Sequence, residues 1–297
     1  MRRLFRILVR LVLALLLLVA LALAAVYIHT ERRIARTYTV STPLLTVPTD
    51  EAAVKRGERL ARVVLPCFEC HGEDYGGKLI ADSFAMGRLA ATNLTSGRGG
   101  VANAYSDADW ARVMLHGVRK DGRSAIFMPS HEFRITEQDL GDMVAYFRAL
   151  PPVDREFPPA RVGPMARVIS YAGFPLLPAE LIDHGKVAFK APPPDASVLS
   201  LGHHLSEMSC SGCHRTDYTG GAGPPPGSSN ITPVGIGSWS ERDFVRALRE
   251  HVRPNGSTIE ESMPRAFGSM TESELHAIYT YLQTVPAKGE KTKRQVQ

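Results

Sequence analysis

The chain has little cysteine, little tryptophan and no surplus of charge outside one short segment. Four cysteines and two tryptophans occur in 297 residues. The formal charge of +5 comes from 35 basic and 30 acidic residues. Four of those basic residues, Arg2, Arg3, Arg6 and Arg10, lie in the first ten positions, which leaves 31 basic against 30 acidic elsewhere. That balance does not indicate a basic patch for a polyanion, and nucleic acid is not expected as a partner. No segment alternates β-branched and aromatic residues over the four to eight positions a strand needs, and the part outside the N-terminus reads as all-α. After residues 11–28 there is no second long apolar run. Length alone predicts about two domains.

The N-terminus carries the one strong local bias. Residues 1–28 contain no acidic side chain, and residues 11–28 form an unbroken apolar run. As a helix that run rises about 27 Å, close to the roughly 30 Å hydrocarbon core, and residues 4–9 can extend it with Arg6 and Arg10 snorkelling. Arginines before the span place the N-terminus in the cytoplasm and the bulk of the chain outside. A cleaved signal peptide is the rival, because Ala22-Leu23-Ala24 offers a small-residue cleavage pattern; the length favours a retained anchor.

Beyond the N-terminal run the chain repeats itself once. Gly57, Cys67, Asn93-Leu94-Thr95, Tyr105-Ser106, Met128-Pro129, Thr136-Glu137 and Leu150-Pro151 recur in order as Gly202, Cys210, Asn230-Ile231-Thr232, Trp239-Ser240, Met263-Pro264, Thr271-Glu272 and Val285-Pro286. The offset falls from 143 at the cysteines to 137 at Asn-x-Thr, then 134 and 135, so insertions fall between elements. Ser106 with Asp109, Thr136 with Asp139, Ser240 with Asp243 and Thr271 with Glu274 have capping-box spacing. Leu140, Met143, Phe147 and Leu150, like Leu275, Ile278, Leu282 and Val285, share one helical face. Each copy is therefore expected to end in an amphipathic helix stopped by Pro151 or Pro286. The expected organisation is an anchor at 1–28, a tether at 29–50, one domain at 51–152, a proline-rich linker at 153–197 with one short ordered stretch near residues 178–189, a second domain at 198–287 and a polar tail at 288–297.

All four cysteines fall in two motifs, Cys67-Phe68-Glu69-Cys70-His71 and Cys210-Ser211-Gly212-Cys213-His214. Zinc half-sites, redox dithiols and disulfides compete for Cys-x-x-Cys. None of them requires the trailing histidine in both copies. Covalent haem attachment does: two thiols add to the vinyl groups, and the adjoining histidine ligates iron. Two haem c groups are therefore expected, on Cys67, Cys70 and His71 and on Cys210, Cys213 and His214.

A methionine thioether is a frequent sixth ligand in an electron carrier. Of nine methionines, Met128 and Met263 occupy equivalent places before the final helix of each copy. They follow His71 and His214 by 57 and 49 residues, and that difference matches the change in offset. Met270 rivals Met263 but has no methionine counterpart. His116, His131 and His251 are weaker alternatives. Gly57 and Gly202 suit a close crossing of the terminal helix near Tyr146 or Tyr281. Asn93 and Asn230 read either as turn formers or as residues ordering the loop at the haem edge.

These residues resemble class I cytochromes c, and more closely the cytochrome subunits of membrane-bound alcohol, aldehyde and gluconate dehydrogenases. The second copy carries the resemblance best, in Asn230-Ile231-Thr232-Pro233, Gly235 through Ser240, Asp243-Phe244 and Met263-Pro264; the likeness covers roughly residues 50–152 and 198–287. It implies two tandem helical haem domains passing electrons between a periplasmic dehydrogenase and quinone, an oxidase or a soluble carrier. Those subunits usually carry three haem motifs, whereas this chain has two. Pro224 to Pro226 fit the loop that supports the proximal histidine in such proteins, while the first copy has no proline between Pro66 and Pro129. The expected role is an electron relay anchored to a bacterial inner membrane, with membrane lipid and redox proteins as partners and no catalytic residue. A dihaem enzyme such as a peroxidase is the alternative.

Overall fold

The computed structural model describes residues 2–221 and 227–290. It opens with helix α1, Arg2–Ala35. Thr30 is the one buried residue of that helix, its hydroxyl donating to the Val26 carbonyl at 2.8 Å. The helix is long and apolar enough to cross a membrane by length and composition. It runs seven residues past the expected anchor, so residues 29–35, read as tether, are helical.

Two helical units come after it. The first contains α2 (Glu51–Arg59), which continues as a π-helical turn over Leu60–Val64, then α3 (Phe68–His71), α4 (Asp107–His116) and α5 (Glu137–Ala149). In the linker, α6 spans Pro164–Tyr171. The second unit has α7 (Val198–Ser209), α8 (Ser211–His214), α9 (Pro233–Ile236), α10 (Glu241–Glu250) and α11 (Glu272–Thr284). All four capping boxes form, at the starts of α4, α5, α10 and α11. Each satisfies backbone N–H groups that the first turn leaves without a partner.

The first and last helices of each unit cross closely, and glycine makes that possible. A Cβ on Gly57 would fall inside the Asp142 carbonyl of α5, and one on Gly202 inside the Ala277 carbonyl of α11 and 2.8 Å from Tyr281 Cβ. The first crossing thus lies about one turn before the Tyr146 expected. It is reinforced by Arg56, which grips the nearly buried Asp142 through two hydrogen bonds of 2.7 and 3.0 Å.

One continuous core runs through both units, from Leu45 and Val64 through Phe147 to Leu205, Phe267 and Leu282. Polar ties cross between them as well. Arg59 Nε donates to Glu274 at 3.0 Å, and His204 lies 3.2 Å from Asp139. The copies are packed together rather than strung on a flexible tether.

Two expectations need correction. The fold is not purely α: β1 (Lys78–Ser83), β2 (Gly87–Ala91) and β3 (Arg161–Val162) form a small antiparallel sheet in that order. β1 is almost wholly exposed and β2 is short and small-residued, so neither has the alternating bulky pattern that marks a half-buried strand. The pairing is made locally, through a turn that closes at left-handed Gly87 (φ +87°). The linker is also more ordered than expected. The 3-10 turns at Pro178–Glu180 and His184–Lys186 fall in the expected ordered stretch, whereas β3 and α6 were not expected. A second core of Leu89, Val162, Ala166, Leu176 and Leu177 joins the sheet to α6.

Candidate functional site

Each attachment motif is a single helical turn, α3 or α8, and the chain beyond it takes one path in both copies. His71 O accepts from Gly77 N at 2.8 Å, and His214 O accepts from Gly220 N at 2.9 Å. Tyr75 and Tyr218 both take left-handed backbone (φ 56° and 60°), and their carbonyls accept from Leu94 N and Ile231 N. This path carries the Asn-x-Thr loop back beneath the histidine.

There the loop supplies a hydrogen-bond acceptor. His71 Nδ1 donates to the Thr92 carbonyl at 2.7 Å, and His214 Nδ1 donates to the Ser229 carbonyl at 2.7 Å. A carbonyl can only accept, so the proton sits on Nδ1 and Nε2 keeps its lone pair for a metal. Burial lowers both imidazole pKa values, which also favours the neutral, ligating form.

The asparagine next in sequence fixes that carbonyl. Asn93 Oδ1 accepts from Thr95 N (2.9 Å) and Thr95 Oγ1 (2.8 Å), while its Nδ2 donates to Val153 O (2.7 Å). Asn230 Oδ1 accepts from Thr232 N (2.9 Å) and Oγ1 (2.7 Å), and Nδ2 donates to Lys288 O (2.8 Å). Both side chains clamp the loop under the histidine to the segment beyond the terminal helix. Both readings of Asn-x-Thr hold: the bond from the N–H two residues on is an Asx turn, and the amide nitrogen ties that turn to the segment beyond the terminal helix. His71 has backbone support without a proline loop; Pro224 to Pro226, expected to serve His214, lie outside the described residues.

A cavity of about 340 Å³ opens beside α3, with Cys67, Cys70, His71 and Met128 in its wall. A narrower one, about 80 Å³, is walled by Cys210, His214, Met263 and Met270. Structure alone therefore leaves both methionines of the second copy in place as donors. Cys213 faces the other way, into the wall of the first cavity. His116, His131 and His251 line neither cavity. Burial pushes the Cys67 thiol up to about 12 and the Cys210 and Cys213 thiols up to about 11. All four cysteines are free of disulfides, and the described residues hold no cluster of three or more ligating side chains that would suit zinc.

The donor set fits haem. The first cavity has both thiols of its motif, a neutral imidazole and a thioether in a wall that is otherwise mainly apolar, whereas the second has Cys210, His214 and a thioether, with Cys213 turned to the first. Haem also brings two propionates, and the first cavity has groups for them. Trp110 Nε1 and Arg119 Nε are buried there without a hydrogen-bond partner in the structure. Arg253 occupies the place of Arg119 in the second cavity wall. The two arginines sit in a shared loop in which Arg119 N donates to Arg123 O and Arg253 N to Ser257 O, both at 2.8 Å. Sequence reasoning passed over them, although Val118-Arg119-x-x-Gly122 and Val252-Arg253-x-x-Gly256 repeat at the offset of 134.

The second unit also completes the first cavity. Met208, Ser209, Gly212, Cys213 and Phe267 stand in its wall beside Glu132 and Phe133. Glu132 lies close against Gly212, and burial raises its carboxyl to about 7. Nothing in the sequence marked this meeting, because its partners are about 80 residues apart.

Comparison with known proteins agrees with this geometry. The profile of the family described as cytochrome c matches twice, at residues 54–151 and 199–286. The fructose dehydrogenase cytochrome subunit of Gluconobacter japonicus is 26% identical over 276 residues, covering 82% of this chain and 56% of its own. The cytochrome c subunit of a quinone-dependent alcohol dehydrogenase from Gluconacetobacter polyoxogenes is 28% identical, covering 80% and 57%. The gluconate 2-dehydrogenase cytochrome c subunit of Pantoea cypripedii is 26% identical, covering 80% and 61%. The chain thus spans a little over half the length of these relatives. With two matched domains, each bearing a Cys-x-x-Cys-His turn, the chain belongs to the cytochrome c family and carries covalently bound haem c.

Proposed function

We propose that the chain is a membrane-anchored electron-transfer subunit of a dehydrogenase complex, with its haem domains on the periplasmic side. The donor is the dehydrogenase or a quinol-linked complex, and the acceptor is an oxidase, quinone or soluble carrier. Cys67, Cys70, Cys210 and Cys213 would attach the two haems, and His71, His214, Met128 and Met263 would supply the ligating nitrogen and sulfur atoms. The observation that carries this reading is the shared wall between the two cavities, which puts the attachment turn of the second unit against the first site.

Haem supplies reversible one-electron chemistry when bound; the protein supplies position and surroundings. Thr92 and Ser229 hold the Nδ1 protons and so orient the imidazoles. The apolar walls keep water from the ligating atoms. Arg119 and Trp110 are placed to pair with the propionates of the first haem, whereas the Arg253 guanidinium is held by the Thr258 carbonyl and by Glu260. A histidine and a methionine donor in each copy would leave no open position for substrate, which separates this reading from a dihaem peroxidase.

Purification in mild detergent, with redox titration of the product, tests the proposal. The expected result is a stoichiometric flavin- or quinone-cofactor dehydrogenase and two one-electron steps. A chain that purifies alone, shows a five-coordinate haem and turns over peroxide would overturn it.

A further inference from the structure

The linker helix α6 is built inside out. Its buried side consists of Ala166, Arg167 and Ser170, whereas Met165, Val168 and Tyr171 point outward with 52%, 41% and 62% of their surface exposed. A helix on the surface of a soluble domain presents the reverse arrangement. Next to its first turn is the β1–β2 turn, held by Met165 N donating to Ala85 O at 2.9 Å and Gly163 N to Met86 O at 3.0 Å. At the tip of that turn Phe84 is 85% exposed.

Where this patch sits is fixed by α1. The Arg167 guanidinium lies 4.1 Å over the Tyr27 ring and pairs with Glu31, and the Tyr171 ring meets His29 edge-on at 5.6 Å. Tyr27 and His29 flank the end of the apolar run at Ile28. Further along, Arg33 Nε donates to Glu180 at 3.0 Å, so the last turns of α1 are locked to the body of the protein. The outward apolar residues are therefore held at the level where α1 leaves the hydrocarbon, and tyrosines at that level are typical of a membrane–water boundary.

We propose that α6 and the β1–β2 turn form a second membrane contact, with Phe84, Met165, Val168 and Tyr171 set into the headgroup–acyl boundary of the bilayer that α1 crosses. The proposal rests on reading α1 as a retained span. Its occupant is lipid, because the patch is continuous with the exit of that span and because an outward apolar helix face at this level matches an interfacial helix. One consequence is orientation: a single helix leaves the body free to tilt, whereas two contacts fix which side of the first cavity faces the bilayer. Ile80 and Phe127, both partly exposed, lie in that cavity wall.

Photocrosslinking of the haem-loaded full-length chain in vesicles of phosphatidylethanolamine and phosphatidylglycerol tests this. p-Benzoylphenylalanine is placed singly at Leu17 inside the span, at Phe84, at Tyr171, and at Leu199, which is 46% exposed on the second unit. Lipid adducts are read by mass spectrometry, and haem absorption checks that each variant has folded. The expected result is a several-fold excess of adduct at Phe84 and Tyr171 over Leu199, alongside strong labelling at Leu17. Labelling at Leu17 with none at Phe84 and Tyr171 overturns the second contact alone. Loss of labelling at Leu17 overturns the anchor and this inference with it. Equal yields at Leu199 would also overturn the inference, because the contact would not be confined to the patch.

Discussion

Replacing Asn93 by alanine tests the link between the repeat and the geometry of the site. Asn93 is 2% exposed, and its side chain makes three short hydrogen bonds, two accepted from Thr95 and one donated to Val153 O. Truncation leaves the Thr95 N–H, the Thr95 hydroxyl and the Val153 carbonyl to find other partners. A buried group left unpaired costs about 1–3 kcal/mol, so with some water entering the gap the expected loss is about 3–4 kcal/mol. Asn93→Asp should do little better: it keeps the bonds to Thr95 but aims a carboxylate oxygen at the Val153 carbonyl. Denaturant unfolding of the haem-loaded protein, monitored by haem absorption, measures the loss. A redox titration supplies a second readout. The loosened Thr92 carbonyl no longer fixes His71, so the potential of the first haem should shift while that of the second stays. Asn103→Ala, at an exposed position, is the control. If Asn93→Ala costs no more than Asn103→Ala, or moves both potentials equally, the clamp argument is wrong.

Three further outcomes are expected. Met128→Ala and Met263→Ala should each remove the sulfur-to-iron absorption of one haem and lower its potential; a Met263→Ala spectrum with both bands intact would hand the role to Met270. Gly202→Ala puts a Cβ into the Ala277 carbonyl and should cost about 3 kcal/mol by denaturant midpoint. Gly185→Ala, whose nearest neighbour is Asp183 Oδ1 at 3.5 Å, should stay within about 0.5 kcal/mol. Burial, with His184 beside it, lowers His116 from 6.5 to about 4. The folded chain then binds fewer protons than the unfolded chain between those values. Stability therefore falls as pH drops from 6.5 towards 4, by about 2 kcal/mol after solvent screening, and His116→Gln should flatten the profile of denaturant midpoint against pH.

The sequence was most readable where one residue decides local structure and does so twice. Ser106, Thr136, Ser240 and Thr271 announce their helices because the cap and the carboxylate three residues on are both local. Gly57 and Gly202 stood out because a helix tolerates glycine poorly unless something must approach it. The β1–β2 hairpin escaped notice because Lys78, Asp82 and Ser83 on one strand and Gly87, Ala90 and Ala91 on the other carry no alternating bulky pattern. The α6 helix was hidden among prolines, and its outward Met165 and Val168 mislead a reading that assigns apolar residues to a core. The Thr92 and Ser229 carbonyls were invisible as backbone atoms, yet each directly precedes the Asn-x-Thr element. The pairing of Nδ1 of His116 with Nδ1 of His184 at 3.1 Å joins positions 68 residues apart, and no local pattern encodes such contacts.

The wall that Met208, Cys213 and Phe267 contribute to the first cavity makes that site a property of both copies at once. A change at Met208 or Phe267, in the C-terminal half, reaches the surroundings of Cys67, Cys70 and His71 in the N-terminal half. The first copy cut out alone would keep its attachment turn and lose part of the wall around it, so the two halves do not divide into independent modules.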